Sequence, residues 1–295
     1  MDVGQLRSKK ISVIGAARSG IAVARLLQGF GARVFVSEKT VSEKLQAEAQ
    51  TLTDLGIAHE LGGHSERAYD CSLMVISPGV PSNAPVVVET RTRGISVVSE
   101  VEVASWFCRS PIVAVTGSNG KTTTTTLIGR ILGDAKKKHA VAGNIGTAFS
   151  SVVLDLAPSD IAVLEISSFQ LDHCETFRPR ISAILNITQN HMDRYDNSMQ
   201  QYAAAKARVF MNQAGDDVLI YDADDEWTST ITEKARCRRI PFSIRRMLTE
   251  GAFVERRRLV TVLDGKRNEI IDVDDISIKG PTTSTTRWLQ RWWDN

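Results

Sequence analysis

One short stretch constrains the fold more than any other part of this chain. It reads Val113-Ala-Val-Thr-Gly-Ser-Asn-Gly-Lys-Thr-Thr123, an apolar strand followed by a glycine-rich turn, a lysine and two hydroxyl residues. Glycines let backbone N–H groups point into such a turn, and the N-terminus of the helix that follows adds partial positive charge. The stretch therefore predicts a phosphate-binding loop between a strand and a helix of an α/β domain.

Individual residues of this loop have predictable roles in binding a nucleotide. Lys121 can reach the terminal phosphates, and Thr122 is placed to hold Mg²⁺. The usual spacing places a glycine where this chain has Val115, so the loop is a variant form. A chance glycine turn is the weaker interpretation, because Gly117, Gly120, Lys121 and Thr122 all follow a clear strand. The predicted ATP-binding residues are Thr116, Gly117, Ser118, Asn119, Gly120, Lys121, Thr122 and Thr123.

Strands and helices alternate on both sides of the loop, which favours an α/β fold with parallel sheets. Residues 1–109 are predicted to form a Rossmann-like domain, and residues 110–281 a central P-loop-type α/β domain. Residues 236–279 read as a small β-rich region with a hairpin turn at Asp264-Gly265. The expected strands of the central domain are residues 112–116, 161–166, 181–187 and 218–221, and residues 202–212 are expected to be helical.

Composition narrows the class of protein. Of the 295 residues 42% are hydrophobic and 24% charged, which is typical of a globular domain protein. The net charge of +2 gives no reason to expect nucleic-acid binding. The four cysteines show no metal-ligand spacing and fit a reducing compartment. No signal peptide or long apolar run is visible, so we expect a cytoplasmic, monomeric protein without membrane insertion.

A second glycine-rich turn, Gly15-Ala-Ala-Arg-Ser-Gly20, follows the first predicted strand. It resembles the dinucleotide-binding pattern, but Ala17 replaces the middle glycine that lets a backbone approach a pyrophosphate. Glu38 lies at the end of the next strand, where an acidic residue can hold a ribose hydroxyl. From this motif alone two interpretations are equally supported: a nucleotide-binding site, and a tight turn that binds no ligand. An NAD-dependent dehydrogenase is the alternative function that this turn suggests.

Two residues further along the chain, Glu165 and His191, are candidates for the same site, whereas Lys206 is not expected there from the residues alone. Glu165 ends an apolar strand, where a carboxylate suits Mg²⁺ beside the phosphate loop. His191 follows another core strand, and strand ends of one parallel sheet converge on one crevice. Lys206 lies among alanines on a predicted helix, and a lysine there is expected to extend to the surface.

Several spaced motifs together resemble the Mur ligases of bacterial cell-wall synthesis. These are the phosphate loop, Gly143-Asn-Ile-Gly146, Glu165-Ile-Ser-Ser-Phe-Gln-Leu171, the stretch from Asn186 to Tyr195, and Ser77-Pro-Gly-Val80. The Ser-Ser-Phe-Gln and His-Met-Asp-Arg-Tyr forms point to the D-glutamate-adding branch of the family rather than to its folate-extending relative. The resemblance covers residues 8–281.

The resemblance implies a ligase that consumes ATP with Mg²⁺. ATP would phosphorylate the carboxylate of UDP-N-acetylmuramoyl-L-alanine, and the amine of D-glutamate would attack the acyl phosphate. Lys206 would carry a carbamate made with carbon dioxide, which reverses its expected surface role. By resemblance the catalytic residues are Lys121, His191 and Lys206, and the metal-site residues are Thr122, Glu165, His191 and Lys206. The substrate-binding residues would be Ser19, Gly20, Glu38, Lys39, Ser77, Pro78, Asn144, Ser167, Gln170 and Arg194.

The chain departs from the family pattern at two places. Asn190 precedes His191 where the family has Asp. After Pro281 the family carries a His-Asn-x-x-Asn motif and a third domain, whereas residues 282–295 are rich in threonine and tryptophan. Codons permitted for the residues after Pro281 encode the family motif when they are read in a shifted frame. We therefore expect a frameshifted tail and no third domain. The 295-residue chain would then fail to form the amide bond, and a non-catalytic nucleotide-binding remnant is a further alternative.

Overall fold

The computed structural model describes residues 3–276, and these form two parallel-sheet units joined along the chain. The expected frameshifted tail, residues 282–295, lies outside the described residues. The α/β class with parallel sheets predicted from the alternating pattern is confirmed.

The first unit contains five strands and four helices. The strands are β1 (Lys10–Ile14), β2 (Arg33–Glu38), β3 (Ala58–Leu61), β4 (Leu73–Ile76) and β5 (Ser96–Ser99). The helices are α1 (Arg18–Gly29), α2 (Glu43–Asp54), α3 (Pro85–Thr92) and α4 (Glu100–Phe107). All neighbouring strands are parallel, in the order β3-β2-β1-β4-β5. The order reverses between β1 and β4, and such a switch point opens a crevice at the carboxyl ends of the strands.

The second unit is built on a nine-stranded sheet. Its parallel part comprises β6 (Ile112–Thr116), β7 (His139–Gly143), β8 (Ile161–Glu165), β9 (Ile181–Ile184), β10 (Val218–Asp222) and β11 (Arg238–Ser243). Its remaining strands are β12 (Gly251–Glu255), β13 (Arg258–Leu263) and β14 (Lys266–Asp272). Its helices are α5 (Lys121–Asp134), α6 (Ser168–Leu171), α7 (Met199–Ala207) and α8 (Glu226–Thr232).

The strand order of the second sheet is β14-β13-β12-β11-β10-β9-β6-β8-β7. The phosphate-loop strand β6 therefore lies between β8 and β9, and its Val115 pairs with Glu165 of β8 and Ala183 of β9. The predicted β-rich region is the antiparallel set β12–β14, which extends the main sheet. Its hairpin turn at Asp264-Gly265 joins β13 to β14 as expected.

A buried carboxylate holds the two units together. Glu102, on α4, is fully buried and accepts hydrogen bonds from the backbone N–H groups of Glu175, Thr176 and Phe177 at 3.1, 2.8 and 2.9 Å. It also accepts a bond from Trp106 Nε1 at 2.9 Å. A buried charge needs such donors, so α4 is fixed against the chain segment that follows α6.

Several predicted elements have different bounds in the structure. The sequence reading missed β3 and β7, because neither has the continuous apolar run of the central strands. The helix expected over residues 202–212 begins earlier, at Met199, because the Ser198 side chain accepts a bond from Gln201 N and caps it. That helix ends at Ala207 and continues as a 3-10 turn, Arg208–Phe210.

Candidate functional site

The phosphate loop is a tight turn between β6 and α5. Gly117 and Gly120 have φ angles of +150° and +80°, which favour glycine. The loop is tied to the end of β9, because Asn186 O accepts from Ser118 N at 2.9 Å and Asn186 Oδ1 accepts from Asn119 N at 2.9 Å. Asn186 thereby holds the loop open toward solvent at the N-terminus of α5, where an anion is favoured.

Glu165 lies directly beside the loop, at the carboxyl end of β8. Its side chain is 3% exposed and accepts hydrogen bonds from Thr122 Oγ1 at 2.6 Å and from Asn144 Nδ2 at 2.9 Å. Gly143 makes this contact possible, since a Cβ there would lie 2.3 Å from the Glu165 carbonyl oxygen. The arrangement brings a carboxylate and a hydroxyl together, and the amide nitrogen of Asn144 donates to the carboxylate. Hard oxygen ligands of this kind, with phosphate oxygens and water, are what Mg²⁺ prefers.

Two lysine side chains approach the loop from opposite sides. Lys121 Nζ donates to the carbonyl oxygens of Gly117 at 2.9 Å and Ser118 at 3.0 Å. Lys206 Nζ donates to Gly117 O at 2.8 Å and lies 4.5 Å from the centre of the Tyr202 ring. Burial lowers the pKa of Lys121, which Glu165 partly offsets. Burial, and then the charge of Lys121, lower the pKa of Lys206 well below its usual value.

The expectation from the residues alone that Lys206 extends to the surface is wrong. Lys206 is 1% exposed and lies beneath the loop instead of lining the open cleft. The reason is tertiary: the small face of α7 packs inward, so the amine is held between the loop carbonyl and the Tyr202 ring. An amine with a lowered pKa is neutral for more of the time and is therefore a better nucleophile toward an electrophile such as carbon dioxide.

His191 and Arg194 occupy the opposite wall of the cleft. His191 has a φ of +52° and its ring meets the Phe169 ring edge-on, with centroids 6.0 Å apart. Arg194 lies 4.5 Å above Phe169 and donates to Pro78 O at 3.4 Å. Burial lowers the pKa of His191, as do the charges of Arg194 and Lys121. Phe169 thus contacts both the Arg194 guanidinium and the His191 ring, a role that its place in Ser-Ser-Phe-Gln could have suggested.

These elements enclose one cleft of about 650 Å³ between the two units. It brings together most of the predicted phosphate and metal-site residues and four of the ten predicted substrate residues. Its lining is Pro78, Gly79, Ser118, Asn119, Gly120, Lys121, Thr122, Thr123, Asn144, Glu165, Ser167, Phe169, His191 and Arg194.

Four predicted substrate residues, Ser19, Gly20, Glu38 and Lys39, lie instead at the carboxyl edge of the first sheet and do not line this cleft. A Cβ on Gly20 would lie 1.8 Å from Gly15 O, so the turn and helix pack closely. Glu38 Oε2 accepts from Ala16 N at 3.0 Å. The buried Ser77 Oγ donates to Gly15 O at 3.3 Å, which joins this edge to the Ser77-Pro78 turn.

Two other predicted residues have mainly internal contacts. Gln170 is 1% exposed, and its Oε1 accepts from Ser167 N at 3.0 Å in a capping box at the start of α6. The expectation that Gln170 itself lines the cleft is not met, because capping turns its side chain inward. Thr116 is fully buried beneath the loop. The sequence reading also missed Tyr202, whose hydroxyl lies 3.1 Å from Ser118 Oγ beneath the loop.

Within residues 3–276 no three His, Cys, Asp or Glu side chains cluster closely enough to enclose a metal ion. Mg²⁺ usually takes one or two carboxylates plus substrate phosphates rather than an all-protein cage, and Glu165 is a carboxylate beside the loop. No helix in the described part of the chain is long and apolar enough to cross a membrane.

The sheets and the glycine-rich loop between β6 and α5 define the class of this protein as α/β with a phosphate-loop type of turn. The sequence pattern of the Mur ligase middle domain matches residues 115–285, and that of the MurD N-terminal domain matches residues 10–86. The chain therefore belongs to the Mur ligase family.

The curated relatives are whole ligases that are longer than this chain. UDP-N-acetylmuramoylalanine–D-glutamate ligase of Salinibacter ruber is 42% identical over 289 residues, covering 95% of this chain and 62% of the relative. The ligase of the same name from Chlorobium limicola is 50% identical over 229 residues, covering 76% of this chain and 48% of the relative. The chain thus spans less than two thirds of the length of these relatives.

Two solved structures share the fold. UDP-N-acetylmuramate:L-alanyl-γ-D-glutamyl-meso-diaminopimelate ligase of Neisseria meningitides matches with a TM-score of 0.55 at 18% identity, covering 88% of this chain and 86% of that one. A murein peptide ligase of Psychrobacter arcticus matches with a TM-score of 0.52 at 15% identity, covering 89% and 61%. Identities this low show the architecture alone.

Proposed function

We propose that the cleft serves the ATP-dependent addition of D-glutamate to UDP-N-acetylmuramoyl-L-alanine. The observation that carries this proposal is the convergence of Lys121, Thr122, Glu165 and Lys206 on one phosphate loop. The names of the 42% and 50% identical relatives support the choice of substrates. Residues 1–109 would hold the UDP-linked substrate, and residues 110–281 would bind ATP.

Lys121 would neutralise the charge of the transferring phosphoryl group. Its ammonium now donates to two loop carbonyl oxygens, so it would exchange these for phosphate oxygens when ATP binds. Charge-assisted bonds to phosphate are stronger than bonds to neutral carbonyls. The remaining loop residues would supply backbone N–H groups at the N-terminus of α5.

Thr122 and Glu165 would hold Mg²⁺, which when bound neutralises phosphate charge. Asn144 would orient the Glu165 carboxylate through its 2.9 Å hydrogen bond. His191 and Arg194 would face the substrate carboxylate and the phosphoryl group from the opposite wall of the cleft. Ser167 and Pro78 would complete the substrate contacts.

Lys206 would react with carbon dioxide as a neutral amine. Its nitrogen forms a bond to carbon, one C–O π pair moves to oxygen, and the amine loses a proton to solvent. The resulting carbamate would be an anion with oxygen atoms of the kind that Mg²⁺ prefers, which an ammonium lacks. Burial already disfavours the ammonium form of this side chain.

A stepwise assay on the 295-residue chain tests this proposal. ATP binding with and without Mg²⁺ is measured by calorimetry, and ligation is then followed with UDP-N-acetylmuramoyl-L-alanine and D-glutamate. Mg²⁺-dependent ATP binding supports the assigned loop, and its absence would contradict it. The expectation that these residues bind nucleotide without forming the amide bond stays a prediction that the ligation step decides. Binding of NADH without UDP would favour the dehydrogenase alternative.

A further inference from the structure

A buried histidine lies outside the cleft, in the turn after α6. His173 is 2% exposed, and the chemistry proposed above does not use it. Its Nε2 lies 2.9 Å from Ser82 Oγ, in the loop between β4 and α3, and its Nδ1 lies 3.3 Å from Arg91 Nη2, near the end of α3. Its backbone oxygen accepts from Ser99 N at 2.9 Å. This residue of the second unit is therefore bonded to three segments of the first.

The hydrogen bonds also decide which nitrogen of His173 carries the proton. The Arg91 guanidinium can only donate, so Nδ1 accepts from it and the proton lies on Nε2. Nε2–H therefore donates to Ser82 Oγ. Burial, and then the charge of Arg91, lower the pKa of His173 to about 4. The ring is thus neutral at pH 7, and its bond to Ser82 has a fixed direction.

The loop between β4 and α3, residues 77–84, forms part of the cleft wall. Pro78 and Gly79 in this loop line the cleft. The start of the loop is fixed to the first glycine-rich turn, because Ser77 Oγ donates to Gly15 O at 3.3 Å. The loop therefore lies between the first turn and the cleft, and a ligand that extends from one to the other must pass along it.

In the described part of the chain, two hydrogen bonds join residues 77–84 to the second unit. One is the 3.4 Å bond from Arg194 Nη1 to Pro78 O, and the other is the 2.9 Å bond from His173 to Ser82. Arg194 lines the cleft, where the proposed function has it face the substrate, so its bond to Pro78 would be exchanged on binding. His173 is buried away from the cleft, so its bond to Ser82 is kept.

We propose that His173 is a positioning residue, which holds the Pro78–Gly79 wall against α6 so that the two units present one surface to the UDP-linked substrate. This rests on the proposed function, which supplies a ligand that extends from the first unit into the cleft. A wall that is ordered before binding spares the ligand the cost of ordering it, so affinity for this ligand depends on the bond to Ser82. ATP binds at the second turn, and its affinity does not depend on that bond.

Calorimetric titration of the full chain with UDP-N-acetylmuramoyl-L-alanine, and separately with ATP and Mg²⁺, tests this proposal. Ser82→Ala removes the acceptor from a half-buried loop residue. It is expected to weaken binding of the UDP-linked substrate about fivefold and to leave ATP affinity within about twofold of wild type. Ser82→Thr keeps the hydroxyl and should bind as wild type. Ser72→Ala, which removes a serine bond to Lys10 O at the other end of β4, is the matched control and should also bind as wild type.

A double-variant cycle separates positioning from a general loss of stability. His173→Phe keeps a buried ring but removes the donor, so it should weaken the UDP-linked substrate about as much as Ser82→Ala does. The double variant should bind no more weakly than either single one, because both remove the same bond. Amide hydrogen exchange needs no ligand: Val80 N–H, which donates to Ser77 O at 3.0 Å within the loop, should exchange faster in Ser82→Ala than in Ser72→Ala.

The outcomes separate this inference from the proposed function. If the UDP-linked substrate binds wild type and Ser82→Ala equally, or if the effects of Ser82→Ala and His173→Phe add in full, the positioning role is wrong while the proposed function stands. If both variants weaken ATP as much as the UDP-linked substrate, the histidine only supports the fold and the inference is overturned. If the wild type binds no UDP-linked substrate, the proposed function and this inference fail together.

Discussion

The chain contains two glycine-rich turns with the same plan, and they differ in the charge placed against them. Both follow a parallel strand and open a helix, α1 in the first unit and α5 in the second. Lys121 and Lys206 surround the second turn with amine groups. The first turn has a carboxylate on its backbone, because Glu38 accepts from Ala16 N at 3.0 Å.

The difference shows that the backbone frame alone does not choose the ligand. A glycine-rich loop at a helix N-terminus, with amines beside it, attracts phosphate. A turn whose N–H is already bonded to a carboxylate suits the hydroxyl groups of a sugar, which can donate to that carboxylate. Four substitutions test whether the second turn binds phosphate and the first turn binds the hydroxyl groups of a sugar.

The largest effect is expected from Lys121→Ala. Loss of a charge-assisted phosphate contact should weaken ATP binding by about 2–3 kcal/mol, measured by calorimetry. UDP binding should be unchanged, because Lys121 lies on the second turn. Lys137→Ala, which changes an exposed lysine in the turn after α5, is the control. Equal ATP affinity in the Lys121→Ala and Lys137→Ala variants would show that the loop is only structural.

Lys206→Met should change how stability depends on pH. In the folded chain the pKa of Lys206 lies well below 10.5, so between that lowered pKa and 10.5 the unfolded chain binds a proton that the folded chain lacks. Wild-type stability relative to Lys206→Met should therefore rise with pH in this window, by at most about 1.4 kcal/mol per pH unit. Denaturant unfolding in carbon dioxide-free buffer measures it, and parallel pH profiles for both proteins would refute the burial of a neutral amine.

Glu165→Gln should reduce the gain in ATP affinity that Mg²⁺ provides. Glutamine keeps the size of the side chain but loses the negative charge, so the Mg²⁺-dependent part of binding should fall by about 1 kcal/mol. Titrations with and without Mg²⁺ give this difference. Glu38→Gln makes the same change at the first turn and should leave the Mg²⁺-dependent part of ATP binding unchanged. An equal loss of ATP affinity in Glu38→Gln would mean that the two turns are not separate sites.

The smallest effect is expected from Glu38→Ala. Ala16 N loses its acceptor in a fully buried position, which should lower the free energy of unfolding by about 1 kcal/mol. Urea denaturation measures the change, and Glu38→Gln, which retains an acceptor oxygen, should lose less. The ATP affinity of Glu38→Ala should equal that of the wild type. A drop in ATP affinity with Glu38→Ala would contradict the separation of the two turns.

Residues with strong local patterns could be placed from sequence, and residues whose role depends on neighbours could not. The phosphate-loop strand, residues 112–116, is where the pattern predicted it, because an apolar run, glycines and a helix start are all local signals. Glu165 could be placed beside the loop, since the ends of parallel strands share one edge. The inward orientation of Gln170 could not be read from the sequence, because it depends on the capping bond that its Oε1 accepts from Ser167 N.

The sequence by itself determined the α/β class, the phosphate loop and the family, because these depend on residue order along short segments. Only the tertiary structure decided the environment of each charge. The residues alone indicated a surface lysine at Lys206, but the packing of α7 places its amine on Gly117 O. The physical reason is that burial and hydrogen-bond partners come from segments distant in sequence, and these set the charge and the accessible nitrogen of a side chain.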